Sequence, residues 1–200
     1  MFSYIANAVT KKMVSNKIID NDKFDIYAYG FEMLFAYASL FLIILTISIL
    51  TNSLIESMLF LIGFYVLRKY AGGFHASTYL KCQLLFVINY ILFLLIMSAI
   101  RFTSLWGIIV FLSIVSIFVV FVFAPVDHEN RRFNSNEFRH FKRMSRRCAI
   151  VVGAVSFISL GIRYIQLYWL AFMIGFLSAS CSVAFVSIKE KFKLYFGERK

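Results

Sequence analysis

Long apolar runs alternate with short polar stretches along almost the whole chain. Six apolar segments can be distinguished: 31–50, 54–67, 84–100, 105–124, 149–162 and 167–188. A membrane-spanning helix needs about 20 residues, so the second and fifth segments cross a bilayer only if their polar flanks are included. The pattern predicts an all-α polytopic membrane bundle with six transmembrane helices.

Basic residues gather on one side of this predicted bundle. With six spans, the N-terminal segment, residues 68–83, residues 125–148 and the C-terminal tail share one side and hold 19 of the 21 Lys and Arg residues. Such an imbalance places the basic side in the cytoplasm, so both termini are predicted to be cytoplasmic. It also accounts for the formal net charge of +11 without nucleic acid as a partner.

The first 30 residues have a different character from the rest. Lysines lie beside apolar residues that recur at helical spacing. These apolar residues are Phe2, Ile5, Ala6, Val9 and Met13. This pattern is typical of an amphipathic helix lying on a membrane surface, and about thirty residues are too few to bury a core of their own. We therefore expect one integral membrane domain over 1–200, with 1–30 as an interfacial segment.

Reactive and polar side chains interrupt the apolar pattern between the second and third segments. Residues 68–83, a predicted cytoplasmic loop, contain Arg68, Gly72, Gly73, His75, Lys81 and Cys82. A thiol can serve as a nucleophile and an imidazole as its proton acceptor. A free thiol is largely protonated at neutral pH and needs a base or a positive neighbour, and Arg68 and Lys81 supply positive charge.

The spacing of His75 and Cys82 predicts a bend. Seven residues of continuous helix rise about 10.5 Å, too far for a direct hydrogen bond between the two side chains. Gly72 and Gly73 give the backbone the necessary freedom. We therefore predict a loop or re-entrant turn at 71–77.

Other interpretations of these residues remain open at this level. Cys82 alone could be a small residue at a helix end, and His75 an interfacial polar group. The three cysteines, Cys82, Cys148 and Cys181, show neither a disulfide framework nor paired metal-ligand spacing, so we expect no metal and no cofactor. Asp127, His128 and Glu129 resemble a functional carboxylate cluster, but a capped turn after the fourth helix would explain these residues equally well.

Taken together, the spacing of Arg68, Gly73, His75 and Cys82 between apolar spans resembles the accessory gene regulator protein B (AgrB) family. The stretch from Ala124 to Asn130 is similar to the family's Ala-Pro-x-x-x-x-Asn segment, although Arg132 stands where a lysine-proline often follows. The family consists of membrane cysteine endopeptidases that process quorum-sensing propeptides in Gram-positive bacteria.

The resemblance implies roles for individual residues. Cys82 would be the nucleophile and His75 the base. The signal segment of a propeptide would be held as a thioester, which a Cys or Ser of that segment displaces to give a thiolactone or lactone. Gly73 would allow close approach of the substrate backbone, and Arg68 would bind a carboxylate or oxyanion. The expected site lies on the cytoplasmic side of a bacterial cell membrane.

Two further expectations concern partners. A basic run would attract the acidic tail of the propeptide; it comprises Arg131, Arg132, Arg139, Lys142, Arg143, Arg146 and Arg147. Gly175 and Ala179 form a face of small residues that suits a helix–helix contact, including a homodimer. The alternatives to a peptidase are a small membrane transporter or peptide exporter, and a structural bundle protein.

Overall fold

The computed structural model describes residues 2–74, 78–100, 106–126 and 134–197. Over these residues the chain is entirely helical, which confirms the predicted all-α class. The elements are α1 (Phe2–Ser15), a 3-10 turn (Asn21–Lys23), α2 (Phe24–Leu50), α3 (Leu54–Ala71), α4 (Tyr79–Ile100), α5 (Trp106–Phe123), α6 (Ser135–Ser159) and α7 (Arg163–Gly197).

Each of the six predicted apolar segments overlaps one helix from α2 to α7. Within the described ranges, three stretches are long and apolar enough to cross a membrane: Asn21–Leu50, Tyr79–Ile100 and Arg163–Lys189. Helix α5 is apolar but shorter over Gly107–Phe123, whereas α3 carries three charged residues and α6 begins with a basic half. The chain is a membrane protein, and the count of six spans stays a prediction.

Helix α6 joins two segments that the sequence pattern treats separately. The basic run, predicted to be helix-like over 137–147, continues without a break into the fifth apolar segment. Asn134 caps the helix by accepting from the Ser135 backbone N–H, and Glu137 accepts from the Asn134 backbone N–H. This reciprocal cap satisfies backbone donors that would otherwise lack partners. Much of the predicted loop 125–148 is therefore rigid helix.

The chain divides into two compact units, Met1–Asn52 and Ser53–Lys200. In the first unit α1 packs on α2 and buries Ala6 and Thr10, and the Thr10 hydroxyl donates to the Ala6 carbonyl over 2.9 Å. The predicted N-terminal helix is thus confirmed as a helix, although Ile5 of its apolar stripe is 41% exposed. Its position at a membrane interface stays a prediction.

The second unit is built around α7, which packs against α3 and α5. Where α3 and α7 cross, each contributes a glycine. A Cβ on Gly63 would stand 2.2 Å from the Phe172 carbonyl oxygen, and one on Gly175 would stand 2.1 Å from that of Phe60. Small residues at such a crossing allow the two backbones to approach closely.

The predicted helix contact through Gly175 and Ala179 is therefore present, and its partner at Gly175 is α3 of the same chain. Ala179 is also fully buried. Because this face is already covered, it gives no support to a homodimer. A homodimer stays a prediction, but the face of small residues on α7 no longer supports it.

Substituting Gly175 with alanine is expected to destabilise the protein by about 2–3 kcal/mol, since the added methyl meets backbone rather than a flexible side chain. The matched control is Gly30→Ala in α2, where a Cβ has no neighbour within 4 Å. The control should be neutral or gain up to about 1 kcal/mol from helix propensity. Thermal unfolding in detergent micelles tests this, and equal midpoints for both variants would contradict the tight crossing.

Candidate active site

A sharp turn ends α3 where the sequence predicts one. Gly72 and Gly73 adopt positive φ values of 75° and 137°, a region that residues with a Cβ rarely enter. The Gly72 backbone N–H donates to the Arg68 carbonyl over 3.2 Å. The predicted bend at 71–77 is confirmed over 72–74, Ala71 still belongs to α3, and His75, Ala76 and Ser77 lie outside the described residues.

Arg68 fastens this turn to α7. Its Nη1 donates to the Ser182 hydroxyl over 2.9 Å, and its Nη2 donates to the Phe74 carbonyl. The Phe74 backbone N–H donates to the same Ser182 oxygen over 2.9 Å. We call Arg68, Phe74 and Ser182 the anchor, because together they hold both backbone polar groups of Phe74.

Gly73 is enclosed by the anchor. A Cβ at this position would stand 2.2 Å from the Arg68 Nη1 and 2.9 Å from the Ser182 Oγ. The close approach that Gly73 permits is therefore to Arg68 and Ser182 of the same chain. The expected approach of a substrate backbone at Gly73 stays a prediction.

A second part of the family-like pattern lies against the same turn. The Val126 backbone N–H donates to the Ala71 carbonyl over 3.0 Å, and a Cβ on Gly72 would stand 2.7 Å from the Val126 carbonyl oxygen. Ala124, Pro125 and Val126 are all buried. The structure thus brings together two motifs about fifty residues apart in sequence. Residues 127–133, including Asp127, His128, Glu129, Arg131 and Arg132, lie outside the described part of the chain.

Cys82 lies in the first turn of α4. Its backbone N–H donates to the Thr78 carbonyl over 3.1 Å, and the Thr78 hydroxyl accepts from the Lys81 N–H over 3.3 Å. The Cys82 side chain is half-buried and Lys81 is exposed. Cys82 thus lies at the amino-terminal end of α4.

Hydrogen bonds and aromatic packing hold α4 against its neighbours. The hydroxyls of Ser57 and Tyr90 hydrogen-bond over 2.6 Å, and Asn89 Nδ2 donates to Ser178 Oγ over 2.7 Å. Phe60 stacks on Phe93 with ring centroids 4.4 Å apart. These contacts connect α4 to α3 and α7, the two helices that also carry the anchor.

The family model of accessory gene regulator B matches residues 6–187, almost the whole chain. The chain belongs to the AgrB family. It is 31% identical over 151 residues to an AgrB-like protein of Clostridium perfringens strain SM101 (type A), covering 73% of this chain and 70% of that protein. It is 30% identical over 151 residues, with the same coverage, to AgrB-like protein 2 of Clostridium perfringens strain 13 (type A). No solved structure matches the chain.

Membership in the AgrB family indicates a role in the accessory gene regulator system, in the processing of quorum-sensing peptides. The site is built mainly from elements that the sequence pattern singled out. Arg68 lies in the last turn of α3, Gly72 and Gly73 follow that helix directly, and Cys82 lies in the first turn of α4. Among the described residues, no group of His, Cys, Asp and Glu could hold a metal ion.

One residue of this AgrB chain was missed by reasoning from sequence. Ser182 lies in the apolar run of α7 and gave no signal beyond being a serine in a predicted span. Hydroxyl side chains in membrane helices often bond to neighbouring segments, which is the only hint available. The structure makes Ser182 the acceptor for both Arg68 and the Phe74 backbone.

The remaining cysteines offer poorer settings for a nucleophile. Cys148 on α6 is half-buried, and burial raises the pKa of its thiol because an apolar environment disfavours the thiolate. Cys181 projects from the middle of the longest helix and is exposed. Neither lies in the first turn of a helix.

We expect Cys148 to react slowly with iodoacetamide at neutral pH, because only the thiolate attacks and its population is reduced. A Cys82→Ala/Cys181→Ala protein, in which Cys148 is the single thiol, should be alkylated more slowly than N-acetylcysteine. The difference should shrink as the pH rises above the usual range for thiol titration. An equal rate at neutral pH would contradict the effect of burial.

Proposed function

We propose that this AgrB-family protein is a membrane cysteine endopeptidase with peptide cyclase activity, in which Cys82 is the nucleophile and His75 the general base. Its substrate would be an autoinducer propeptide with an acidic C-terminal tail. The proposal is supported by family membership, by the thiol in the first turn of α4 and by the anchored turn that directly precedes His75.

The anchor is the observation that carries the proposal. It fixes Phe74, and His75 follows Phe74 directly in the chain. An extended chain of four residues spans at most about 14 Å, so the segment from Phe74 to Thr78 keeps the start of α4 near the turn. The proposal requires the base on this segment to reach a thiol one helical turn beyond Thr78.

The reaction would proceed in two acyl transfers. His75 accepts the Cys82 proton, and the sulfur attacks the carbonyl carbon between the signal segment and the tail. The C–N bond breaks, the leaving amine takes the proton from His75, and the signal segment remains as a thioester. A Cys or Ser side chain of that segment then gives its proton to His75 and attacks the same carbonyl carbon. The C–S bond to Cys82 breaks, the ring closes, and the Cys82 thiolate takes the proton back from His75.

This route needs no nucleotide, because the thioester keeps the acyl group activated. It does require that water be kept from the thioester, since hydrolysis would give a linear product. The site meets this need in part, because the turn packs on a buried cluster. Leu67, Ala71, Val126 and Val183 belong to that cluster, and Phe74 packs against it.

The function is tested with the purified protein in phospholipid vesicles and the propeptide encoded by a short reading frame beside the gene. We expect a released tail with a new N-terminus and a cyclic segment lighter by one water than its hydrolysed form, without added nucleotide. Transport of the intact propeptide, unaffected by thiol alkylation, would instead favour the exporter alternative.

Ser182 is proposed as a positioning residue for His75, and Ser182→Ala should lower kcat about tenfold. The substitution removes the acceptor of Arg68 Nη1 and of the Phe74 backbone N–H, so that only the bond from Arg68 Nη2 to the Phe74 carbonyl is left in the anchor. A misplacement near 1 Å can cost up to about 10²-fold. The matched control is Ser180→Ala, whose hydroxyl donates only within its own helix, to the Leu177 carbonyl. Both should leave the thermal midpoint within a few degrees.

A purely structural Ser182 would lower the thermal midpoint and the amount of folded enzyme with kcat per folded molecule unchanged. A positioning role lowers kcat with little change in KM. Equal kcat values for Ser182→Ala and Ser180→Ala would remove Ser182 from the account.

A further inference from the structure

Five basic side chains of α6 line one groove beside the end of α5. The groove has a volume of about 400 Å³ and is lined by Arg139, Lys142, Arg143, Arg146 and Arg147, with Phe121 and Ile150 as its apolar part. These positions recur every three to four residues, so they lie on one face of the helix. Among the residues that the structure describes, none that lines this groove is acidic. We call it the basic groove.

Arg146 occupies this groove with one donor unused. Its Nη2 donates to the Phe121 carbonyl over 3.1 Å, and its guanidinium lies 5.0 Å from the centre of the Phe121 ring. Its Nε is buried and has no partner within the described part of the chain. A buried donor without a partner is costly, and an anionic oxygen in the groove would satisfy it.

A second, apolar groove continues along the same two helices. It has a volume of about 340 Å³ and shares Ile150 with the basic groove. Its walls include Ile114 and Ile117 of α5 and Gly153 and Phe157 of α6. At Gly153 the Ile117 side chain packs close to the α6 backbone, since a Cβ there would stand 2.6 Å from the Ile117 Cδ1. We call it the apolar groove.

Two serines also line the apolar groove, yet their hydroxyls donate within their own helices. Ser113 donates to the Ile109 carbonyl over 2.7 Å, and Ser156 to the Val152 carbonyl over 2.7 Å. The groove therefore presents an almost wholly apolar surface. It lies in the parts of α5 and α6 that the sequence assigns to the fourth and fifth apolar segments.

We propose that the two grooves together bind one anionic phospholipid of the cytoplasmic leaflet. The phosphate and headgroup would occupy the basic groove, and an acyl chain would lie in the apolar groove. From Arg139 to Arg147 the helix rises about 12 Å, and from Ile150 to Phe157 about 10 Å. These lengths suit a headgroup region followed by much of the roughly 15 Å hydrocarbon half of a bilayer.

An acidic peptide tail would match the basic groove but not the apolar groove. Its carboxylates would match the basic groove, but nothing in such a tail fills the apolar groove beyond Ile150. A phospholipid carries both parts in one molecule, in the order in which α6 presents them. Basic clusters between membrane helices on the cytoplasmic side suit anionic headgroups in general.

Native mass spectrometry of the full chain tests this proposal, with equimolar phosphatidylglycerol and phosphatidylcholine in detergent. The wild-type protein should retain phosphatidylglycerol at least about tenfold better than phosphatidylcholine. Arg143→Gln/Arg146→Gln should lower that retention about tenfold. The matched control Lys11→Gln/Lys12→Gln removes the same charge from exposed positions on α1 and should change retention less than twofold.

A second variant tests the acyl chain. Gly153→Leu should weaken retention of phosphatidylglycerol several-fold while leaving its soluble headgroup, glycerophosphoglycerol, unaffected as a weak competitor. Inorganic phosphate should not displace the lipid. Circular dichroism and size-exclusion profiles matching wild type show that each variant is folded.

Three results would overturn the proposal. The first is equal retention of the two lipids, and the second is an equal loss in the arginine and lysine double variants. The third is displacement of phosphatidylglycerol by a water-soluble acidic peptide at lower concentration than by a second phospholipid. That last result would assign the basic groove to the propeptide tail.

Discussion

Replacing Cys82 with alanine is expected to reduce propeptide cleavage by at least about 10³-fold. Alanine keeps the size and helical conformation of the first turn of α4 but cannot attack a carbonyl carbon. The Cys82 side chain is only half-buried, and its backbone N–H bond to Thr78 does not depend on the thiol. The measurement is the rate of tail release from the propeptide by purified protein in vesicles.

The other two cysteines provide matched controls for this loss. Cys148→Ala and Cys181→Ala remove a thiol elsewhere in the same unit and should each keep cleavage within about twofold of wild type. Membrane insertion and thermal midpoint should be unchanged in all three variants. Full cleavage by Cys82→Ala protein would remove the peptidase proposal altogether.

Replacing His75 with alanine is expected to lower cleavage by about 10²- to 10⁴-fold, the usual contribution of a positioned general base. Without the imidazole, the Cys82 thiol loses its proton acceptor and the leaving amine loses its proton donor. Because the anchor acts on Phe74 through backbone groups, the substitution leaves Arg68 and Ser182 with their partners. The variant should therefore fold as wild type does.

His140 on α6 provides the matched control for His75. It is exposed on the basic half of the helix, so His140→Ala should keep the wild-type rate. Added imidazole should restore part of the His75→Ala rate and none of the Cys82→Ala rate, because it replaces a base but not a nucleophile. Equal rates for the two histidine variants would show that the base lies elsewhere.

Hydrophobic patterning was sufficient to predict the helices but not how they meet. Each apolar segment became a helix, because backbone polar groups in a bilayer must be satisfied within the segment. The crossing of α3 and α7 depends on Gly63 facing the backbone near Phe172 and Gly175 facing that near Phe60. Such long-range pairing of two single residues leaves no periodic signal in one sequence.

The continuity of α6 shows a second limit of patterning. Charges in its first half and apolar residues in its second half predicted a helix-like basic run and a separate span, whereas the capping box at Asn134 and Glu137 starts one helix across both. The helix therefore begins at the capping motif and continues through the point where the composition changes from basic to apolar. The signal was readable, since an Asn followed three residues later by a Glu is typical of a helix start.

The candidate site was predictable where chemistry, rather than packing, selects the residue. Cys82, His75, Arg68 and the glycine pair stand out because thiol, imidazole and guanidinium groups are rare between apolar spans. Ser182 did not stand out, because its role follows from a contact over more than a hundred positions. The contact also gives Gly73 a role that the sequence did not indicate, because a side chain at this position would collide with Arg68 and Ser182.

The most direct test of the account is the intact mass of the protein after rapid mixing with its propeptide and quenching in acid. We expect a covalent adduct on Cys82 equal in mass to the signal segment without its tail, sensitive to hydroxylamine as a thioester is. It should be absent from Cys82→Ala protein and present in Cys148→Ala and Cys181→Ala proteins. Cleavage without any adduct on Cys82, or an adduct on another residue, would contradict the account.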